Sequence, residues 1–561
     1  MFDGKYFGTA LKLSIAGESH SQYIEFSLRG MPPGFMVDFD GLRKFMQRRA
    51  PGKNVLSTSR SELDEVEFLT GIDLNGVTTG GVIKARIANL DARPSDYNSV
   101  RSIPRPGHAD FGQWAANGFI SSGGGTNSGR MTAALCAAGW LAITYLKANK
   151  IEVAAKVKSI CGKDCDFENT ILKAASEGDS VGGTIVCKAT GLAPGIGGAL
   201  FSGFESRLSA AIFAIPGVKG IEFGNGFDAT SLLGSENNDE FVVEEGRVAT
   251  STNRHGGLLG GRTTGMPVVL TIAMKPTPTI FKDQQSVDLL TMKGALCRVK
   301  GRHDPCIVIR AAPVVEAVTA LVAADMILER RAKNPPICLT LTSPDISGCV
   351  DEFNSQYPFV EMAEIRADLL CDSERDKVAI LAQKLKVPTI LTFRRKSDGG
   401  AFEGSDEERK SFFIRMLGAK APFEFVDFED DFRDEELESA AKAAGVRIIR
   451  SMHLFDAKKK FDIINEARRI RGVGLEIPKI AYVVDSESEV EAFFKATENF
   501  NEFEHIFCIM GNVGVRTRVE ARRSNSMLVY ASAGGLGEKI GHLSAHELVK
   551  RRYQLSEGAM K

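Results

Sequence analysis

The sequence predicts an α/β protein of more than one domain that ends in a (β/α)8 barrel. Three observations carry this expectation. The chain has 561 residues, more than a single core usually serves. An alanine-rich helical run, VVEAVTALVAADMILERRAK, stops at Asn334-Pro335-Pro336, because proline disfavours the helical conformation of the residue before it. Beyond that stop, apolar strand-like runs alternate regularly with charged helical ones. The expected domains are 1–333 and 334–561.

The barrel strands are expected, in order, at ICLTLTS, VEMAEIRADLL, TILTFRR, FEFVDFE, RIIRSMHLF, IPKIAYVVD, EHIFCIMG and SMLVYASAG. Runs such as ERDKVAILAQKLK and DEELESAAKAAG supply the helices between them. A doubly wound open sheet is the alternative arrangement. In a barrel, polar residues near strand C-termini face the active site, which singles out Glu364, Arg366, Arg394, His453, Lys479 and Arg518. Lys479 lies within LEIPKIAYVV and must point inward or be buried unpaired at a cost of several kcal/mol. An inward lysine is the usual route to a Schiff base with a ketone, and a neighbouring strand-end histidine, His453, suits general acid-base work. The competing reading is a structural lysine paired with Glu364 or Asp368.

Before residue 333 the grammar differs. Glycines cluster at 123–125, 195–198 and 256–261, where they let backbone approach a ligand closely. All four histidines of this part lie in compact polar motifs: GESH (His20), RPGHAD (His108), NRHGG (His255) and GRHDPC (His303).

Composition narrows the classes. With 43% hydrophobic and 25% charged residues and a net charge of −1, the chain reads as a soluble globular protein without a footprint for nucleic acid or membrane. Ten scattered cysteines, no signal-peptide core and no apparent 18-residue apolar span point to a reducing, cytoplasmic setting. Neither the Cys161/Cys165 pair nor His303 with Cys306 has a second ligand pair nearby, so no metal is expected.

EIRADLL, TFRRKSDGG, the His453 and Lys479 strands and MGNVGVRTR together resemble a type I 3-dehydroquinate dehydratase over the whole second half. The resemblance implies an imine between Lys479 and the substrate's C3 ketone, with His453 moving the C2 proton. It also implies substrate contacts from Glu364, Arg366, Arg394, Ser532 and a carboxylate clamp at Arg518. Three departures stand out. Asp398 replaces a glutamate, Leu454 an aspartate, and SAGGLGEKIGH stands where the family has SAPGQ. Gapless alignment puts Leu536 at that glutamine, whereas a six-residue insertion puts His542 there.

From about residue 6 to 330, RPGHAD, SGGGTNSGRMTA, VKGIE, GGLLGGRTTG, KPTPTI and GRHDPC resemble chorismate synthase. That resemblance implies a β-α-β sandwich, generally a homotetramer, in which 5-enolpyruvylshikimate 3-phosphate loses phosphate and a proton by 1,4-trans elimination. The reaction requires reduced FMN without net redox change. By motif position, His20 protonates the leaving phosphate, His108 protonates or polarises the flavin and Asp304 assists proton removal. Flavin contacts are implied at Thr126, Asn127, Ser128, Pro216, Gly217, Gly260, Lys275, Pro276, Thr277, Thr279 and Arg302. Arg48, Arg49, Arg105 and Arg130 would meet the substrate anions. Thr126, Asn127 and Met131 stand where the family has arginine, serine and glutamate, and Val55 where it has arginine, with Lys53 a substitute.

The sequence therefore reads as a bifunctional enzyme of aromatic biosynthesis. Two rivals are a monofunctional chorismate synthase with a degenerate barrel as a binding or assembly module, and a flavin redox enzyme. The latter would need a nicotinamide site, and no G-x-G-x-x-G lies between a strand and a helix.

Overall fold

In the computed structural model, residues 4–50, 64–90, 101–298, 304–418, 422–456, 462–471, 476–534 and 541–558 are described. The chain forms two compact units. The first holds 1–147, 151–241 and 250–329; the second holds 148–150, 242–249 and 330–561. The sequence boundary at 333 thus falls at the last residue of the helix Val308–Lys333, four residues beyond the first unit.

The first unit has two large antiparallel sheets, besides two-stranded hairpins. One is ordered Lys5–Phe7, Lys12–Ala16, Tyr23–Arg29, Ile83–Ala88, Val66–Thr70, and the other Glu152–Ile160, Gly183–Thr190, Val268–Met274, Val218–Phe223. Strands such as Lys12–Ala16 and Ile83–Ala88 bury alternate residues, so each sheet offers an apolar face. One core cluster joins both faces to the helices Thr132–Ala148 and Val308–Lys333. These helices show no polar stripe because neighbours cover them all round. They pack closely through small residues: a Cβ on Gly139 would stand 2.4 Å from that of Ala317.

Two helical stretches, Gly129–Ala148 and Val308–Lys333, are long and apolar enough to cross a membrane, which corrects the expectation that no such span exists. They are 78% and 94% buried inside the protein over their apolar windows, as core helices are. The buried Asp325 on the second of them accepts hydrogen bonds from the Ala10 and Leu11 backbone N–H groups at 2.8 and 2.7 Å and from the Tyr6 hydroxyl at 2.9 Å. It thereby ties the N-terminal strands to the central helix.

In the second unit all eight expected strands form, at Ile337–Leu341, Met362–Arg366, Thr389–Thr392, Phe425–Glu429, Arg447–Leu454, Ile477–Val483, Ile506–Met510 and Val529–Ser532. They are parallel and follow chain order, and the last pairs with the first. This is a nearly closed barrel, and the open-sheet alternative fails because its strand order would reverse midway. Between the seventh and eighth strands a backbone bond from Met527 N to His505 O (2.8 Å) bridges the seam.

Alternation along the strands sets the interior. Cys338, Met362, Ile390, Phe425, Ile449, Ile477, Ile506 and Leu528 form an apolar layer. Two residues further on, the same face carries Thr340, Glu364, Thr392, Asp427, Ser451 and Lys479. The polar layer lies toward the C-terminal ends of the strands.

Candidate active sites

The first unit contains a cavity of about 560 Å³. Chain geometry explains its lining. The strands Val218–Phe223 and Val268–Met274 are antiparallel neighbours, so the start of one meets the end of the other. Lys275 N donates to Gly217 O at 2.9 Å, which brings Pro216 and Gly217 beside Lys275, Thr277 and Thr279. Thr126, Asn127, Ser128 and Arg130 line the cavity next to Arg49, Arg105, His108 and Asp304.

The glycine run between helices is shaped around two histidines. Gly123 and Gly124 have φ of 63° and 91°. A Cβ on Gly123 would come within 2.4 Å of His20 Nε2, and one on Gly124 within 2.9 Å of His108 Cε1. Consecutive glycines thus hold the two predicted histidines against one turn. Gly123 lines the cavity, and His20 packs against that glycine outside the lining set.

Buried carboxylates aim the arginines. Asp64 pairs with both Arg49 and Arg130. Asp110 takes Arg105 Nε and Nη2 at 2.7 Å each and lies 3.2 Å from His108 Nδ1. Burial opposes the charge on Asp110, but hydrogen bonds from Arg105 and His108 prevail and hold its carboxyl well below the usual range. Asp64 is likewise lowered, with the charges of Arg49 and Arg130 overcoming desolvation.

Some expectations fall elsewhere. Arg48 turns away to pair with Glu316 at 2.9 Å and does not line the cavity, because Arg48 and Arg49 leave one helix end in different directions. Gly260 sits in the turn of the hairpin Leu258–Thr263, outside the lining, and Pro276 is also outside it. Arg302, His303, Lys53 and Val55 lie outside the described residues. Cys306 is in the core, its thiol pushed up to about 11 by burial, so it is no ready metal ligand. Among the described residues no three His, Cys, Asp or Glu side chains group to hold a metal.

Sequence reasoning missed Arg310 and Lys219, which also line the cavity. Arg310 pairs with Asp304 at 2.5 Å and donates from Nε to the Arg49 carbonyl at 2.9 Å. Arg310 directly follows the apolar run 307–309 that continues GRHDPC, outside any motif, and the helix Val308–Lys333 carries it to the cavity.

In the barrel, Lys479 points inward and is buried. Its Nζ lies 2.9 Å from Asp427 Oδ2 and 3.5 Å from Glu364 Oε1. Glu364 is held by the hydroxyls of Thr340 (3.0 Å) and Thr392 (2.9 Å). Asp368, weighed as a lysine partner, instead takes Arg366. Arg394 Nη2 pairs with Asp427 Oδ1 at 2.9 Å, and its Nη1 reaches Ser451 Oγ at 3.0 Å and His453 Nδ1 at 3.3 Å. Burial first, then the charges of Arg394 and Lys479, push His453 well below the usual histidine range, so its imidazole is neutral.

Asp398 pairs with Arg395 at 2.6 Å, and buried Arg518 donates to the Ile509 carbonyl at 2.9 Å. Ser532 is buried, and its Oγ has no partner among the described residues. Asp427, the centre of the network, was missed by sequence reasoning. The signal was there: in FVDFE it shares a face with Phe425 and Glu429, at the same level as Lys479.

Comparison with known proteins decides the family of the first unit. The chorismate synthase model matches residues 11–328, more than half of the chain. The chain belongs to the chorismate synthase family. Chorismate synthase from Lancefieldella parvula is 40% identical over 363 residues, covering 57% of this chain and 95% of the relative. That from Archaeoglobus fulgidus is 41% identical, covering 57% and 96%. The type I 3-dehydroquinase model matches residues 337–558. A solved chorismate synthase covers 58% of this chain and 93% of its own at 25% identity and a TM-score of 0.45. A type I 3-dehydroquinate dehydratase from Clostridium difficile covers 40% and 94% at 22% identity and a TM-score of 0.36. The chain is a fusion of a chorismate synthase domain with a type I 3-dehydroquinase domain, both lyases.

Proposed function

We propose that both sites are active, one forming chorismate and the other dehydrating 3-dehydroquinate. The observation that carries the second activity is that Asp427 pairs with both Lys479 and Arg394, and Arg394 Nη1 in turn lies 3.3 Å from Nδ1 of a neutral His453, so that the lysine and the histidine converge on one network. Lys479 Nζ attacks the C3 ketone, and loss of water leaves an imine. His453 takes a C2 proton through the lone pair of its neutral ring, and the electrons move into the imine. The C1 hydroxyl departs as water with a proton returned by His453, and hydrolysis frees Lys479. Arg366, Arg394, Arg518, Glu364 and Ser532 hold the substrate's carboxylate and hydroxyls.

In the chorismate synthase domain, Arg49, Arg105 and Arg130 gather the substrate anions, and Arg310 adds to their field. His20 protonates the departing phosphate, and Asp304, steadied by Arg310, helps remove the substrate proton. Asp110 orients the His108 ring, which lines the cavity and would protonate or polarise the flavin there. The cavity suits FMN: its volume is in the range of cofactor sites, and Thr277 Oγ1 is buried there without a partner among the described residues. Thr126, Asn127, Ser128, Pro216, Gly217, Lys275 and Thr279 would hold the flavin with Thr277. Reduced FMN, when bound, supplies electron density to the substrate as the phosphate bond breaks.

Exposed Leu200, Phe201, Phe227 and Leu233 on the first domain support a homo-oligomer, the family's tetramer being the expected form. Ten free cysteines support a cytoplasmic location. Two assays on the intact chain test the reading: 3-dehydroshikimate formation, and chorismate formation under anaerobic reduced FMN. Absence of the first activity with the second intact would establish the degenerate-barrel rival.

A further inference from the structure

The turn that carries His20 and the guanidinium of Arg130 are held by one side chain with no role in the chemistry described above, that of Asn89. Strand register places it there. Tyr23–Arg29 runs antiparallel to Ile83–Ala88 with Tyr23 opposite Ala88, so the residue after the second strand meets the residue before the first. Asn89 N accordingly donates to the Gln22 carbonyl at 3.0 Å. From that position its side chain reaches the GESH turn on one side and Arg130 on the other.

The turn is tied both to itself and to the glycine run. Glu18 N donates to Ser21 Oγ at 2.9 Å, Ser19 N to Gly125 O at 3.3 Å and Ser19 Oγ to Ser122 O at 3.2 Å. Asn89 Nδ2 donates to the carbonyls of Glu18 (3.2 Å) and Ser21 (2.8 Å), which bracket Ser19 and His20. Its Oδ1 accepts from Arg130 Nε at 2.8 Å. Arg130 Nη2 donates to the Ala88 carbonyl at 3.1 Å, and Nη1 pairs with Asp64, so all three nitrogens of this buried guanidinium are aimed by the protein. Only an amide serves between these groups. A guanidinium only donates and a carbonyl only accepts, so the side chain between them must accept on one side and donate twice on the other. A carboxylate would set an oxygen against two carbonyl oxygens, and an apolar isostere would match none of the three.

We infer that Asn89 is a positioning residue of the chorismate-forming site: its one amide keeps the His20 turn and Arg130 in a fixed relation, so that the proton donor and an anion-binding arginine meet the same substrate. Asn89 is not part of the cavity lining and acts through these two groups. Arg130 lines the cavity, and His20 packs on Gly123, which lines it as well. A donor displaced from hydrogen-bond reach of the departing phosphate oxygen loses rate, and a guanidinium turned off line loses its directed bond to an anion. The inference rests on the chorismate synthase reading of that site.

The test is Asn89→Leu, close to asparagine in shape but without its hydrogen bonds, made alone and together with His20→Ala. The single variant should raise KM for 5-enolpyruvylshikimate 3-phosphate and lower kcat, each by ~10-fold, the scale of one or two lost hydrogen bonds. FMN should still bind, and dehydration of 3-dehydroquinate should be unchanged. In the His20→Ala background the KM rise should persist, but kcat should fall by less than about twofold further, because a residue that acts through His20 then has nothing left to align. A single variant within about twofold of wild type in both parameters overturns the proposal. Losses in kcat that multiply in the double variant, as general destabilisation would produce, overturn it too. If wild-type protein forms no chorismate under anaerobic reduced FMN, or His20→Ala turns over normally, the reading of the site fails instead. Hydrogen exchange then decides the proposal. Faster exchange of the amides at 18–22 and 129–131 in Asn89→Leu, with the strand Glu152–Ile160 unchanged, upholds it; unchanged or uniformly faster exchange refutes it.

Discussion

Replacing Asp427 by asparagine should damage the barrel more than any other isosteric change. The carboxylate is buried and balances two cations, Lys479 and Arg394, each at 2.9 Å, while accepting from Ser451 Oγ at 2.6 Å. Burial opposes its charge, but Arg394 and Lys479 prevail and hold its carboxyl well below the usual range. Asparagine keeps the shape, removes the charge and turns one acceptor into a donor that faces a cation. Breaking a buried pair costs about 3–5 kcal/mol. Glu364, 3.5 Å from Lys479, and Glu429, 3.8 Å from Arg394, compensate in part, so the lower end applies, about 3 kcal/mol. For a domain of this size each kcal/mol moves the melting temperature by about 2–4 °C, so the barrel transition should fall by roughly 6–12 °C. Scanning calorimetry reads this directly, with the chorismate synthase transition as internal reference. Dehydration should also drop by ~100-fold or more, because Asp427 is the anion that most supports a proton on His453. A variant melting within 2 °C of wild type with normal dehydration, roughly the effect of under 1 kcal/mol, would refute the assignment of Asp427 as the keystone.

Lys479→Ala should abolish dehydration yet leave chorismate formation within about threefold, because each unit has its own core; loss of both in a folded variant would refute the two-site reading. His20→Ala should lower chorismate turnover by about 100-fold while FMN still binds, as measured by flavin fluorescence; unchanged turnover would reject His20 as proton donor. The barrel should lose stability as pH falls below about 6.5. His453, His505 and His542 are all lowered in the folded state, so the unfolded chain binds more protons there. Their contribution is fully present above the unfolded value and fades at up to about 1.4 kcal/mol per pH unit for each ring below it. Melting curves between pH 8 and 5 measure the slope, and a flat barrel transition would contradict it. Asp427, lowered rather than raised, adds a further loss only below about pH 4.

Much of this protein was legible in the sequence because its signals are local. Asn334-Pro335-Pro336 marked the helix end within a residue, since proline acts on its immediate neighbour. All eight barrel strands were legible as short apolar runs between charged helices, and the cost of burying an unpaired lysine in an apolar strand already favoured an inward Lys479. Among four histidines in compact polar motifs, the family resemblance singled out His20 and His108, although only the fold shows that Gly123 and Gly124 press one against each. What stayed hidden depends on which residues distant strands and helices bring together. The apolar helices looked unremarkable in sequence, and burial between two sheets is a property of the assembled layers. Arg48 and Arg49 are adjacent and chemically alike, yet one meets Glu316 and the other the cavity, because successive helical residues point about 100° apart. Asp427 lies 52 positions from Lys479 in the chain, and only closure of the barrel puts their side chains 2.9 Å apart. The sequence determined which residues could do the chemistry; the tertiary structure decided their partners, since charge pairing acts over a few ångströms in space regardless of separation along the chain.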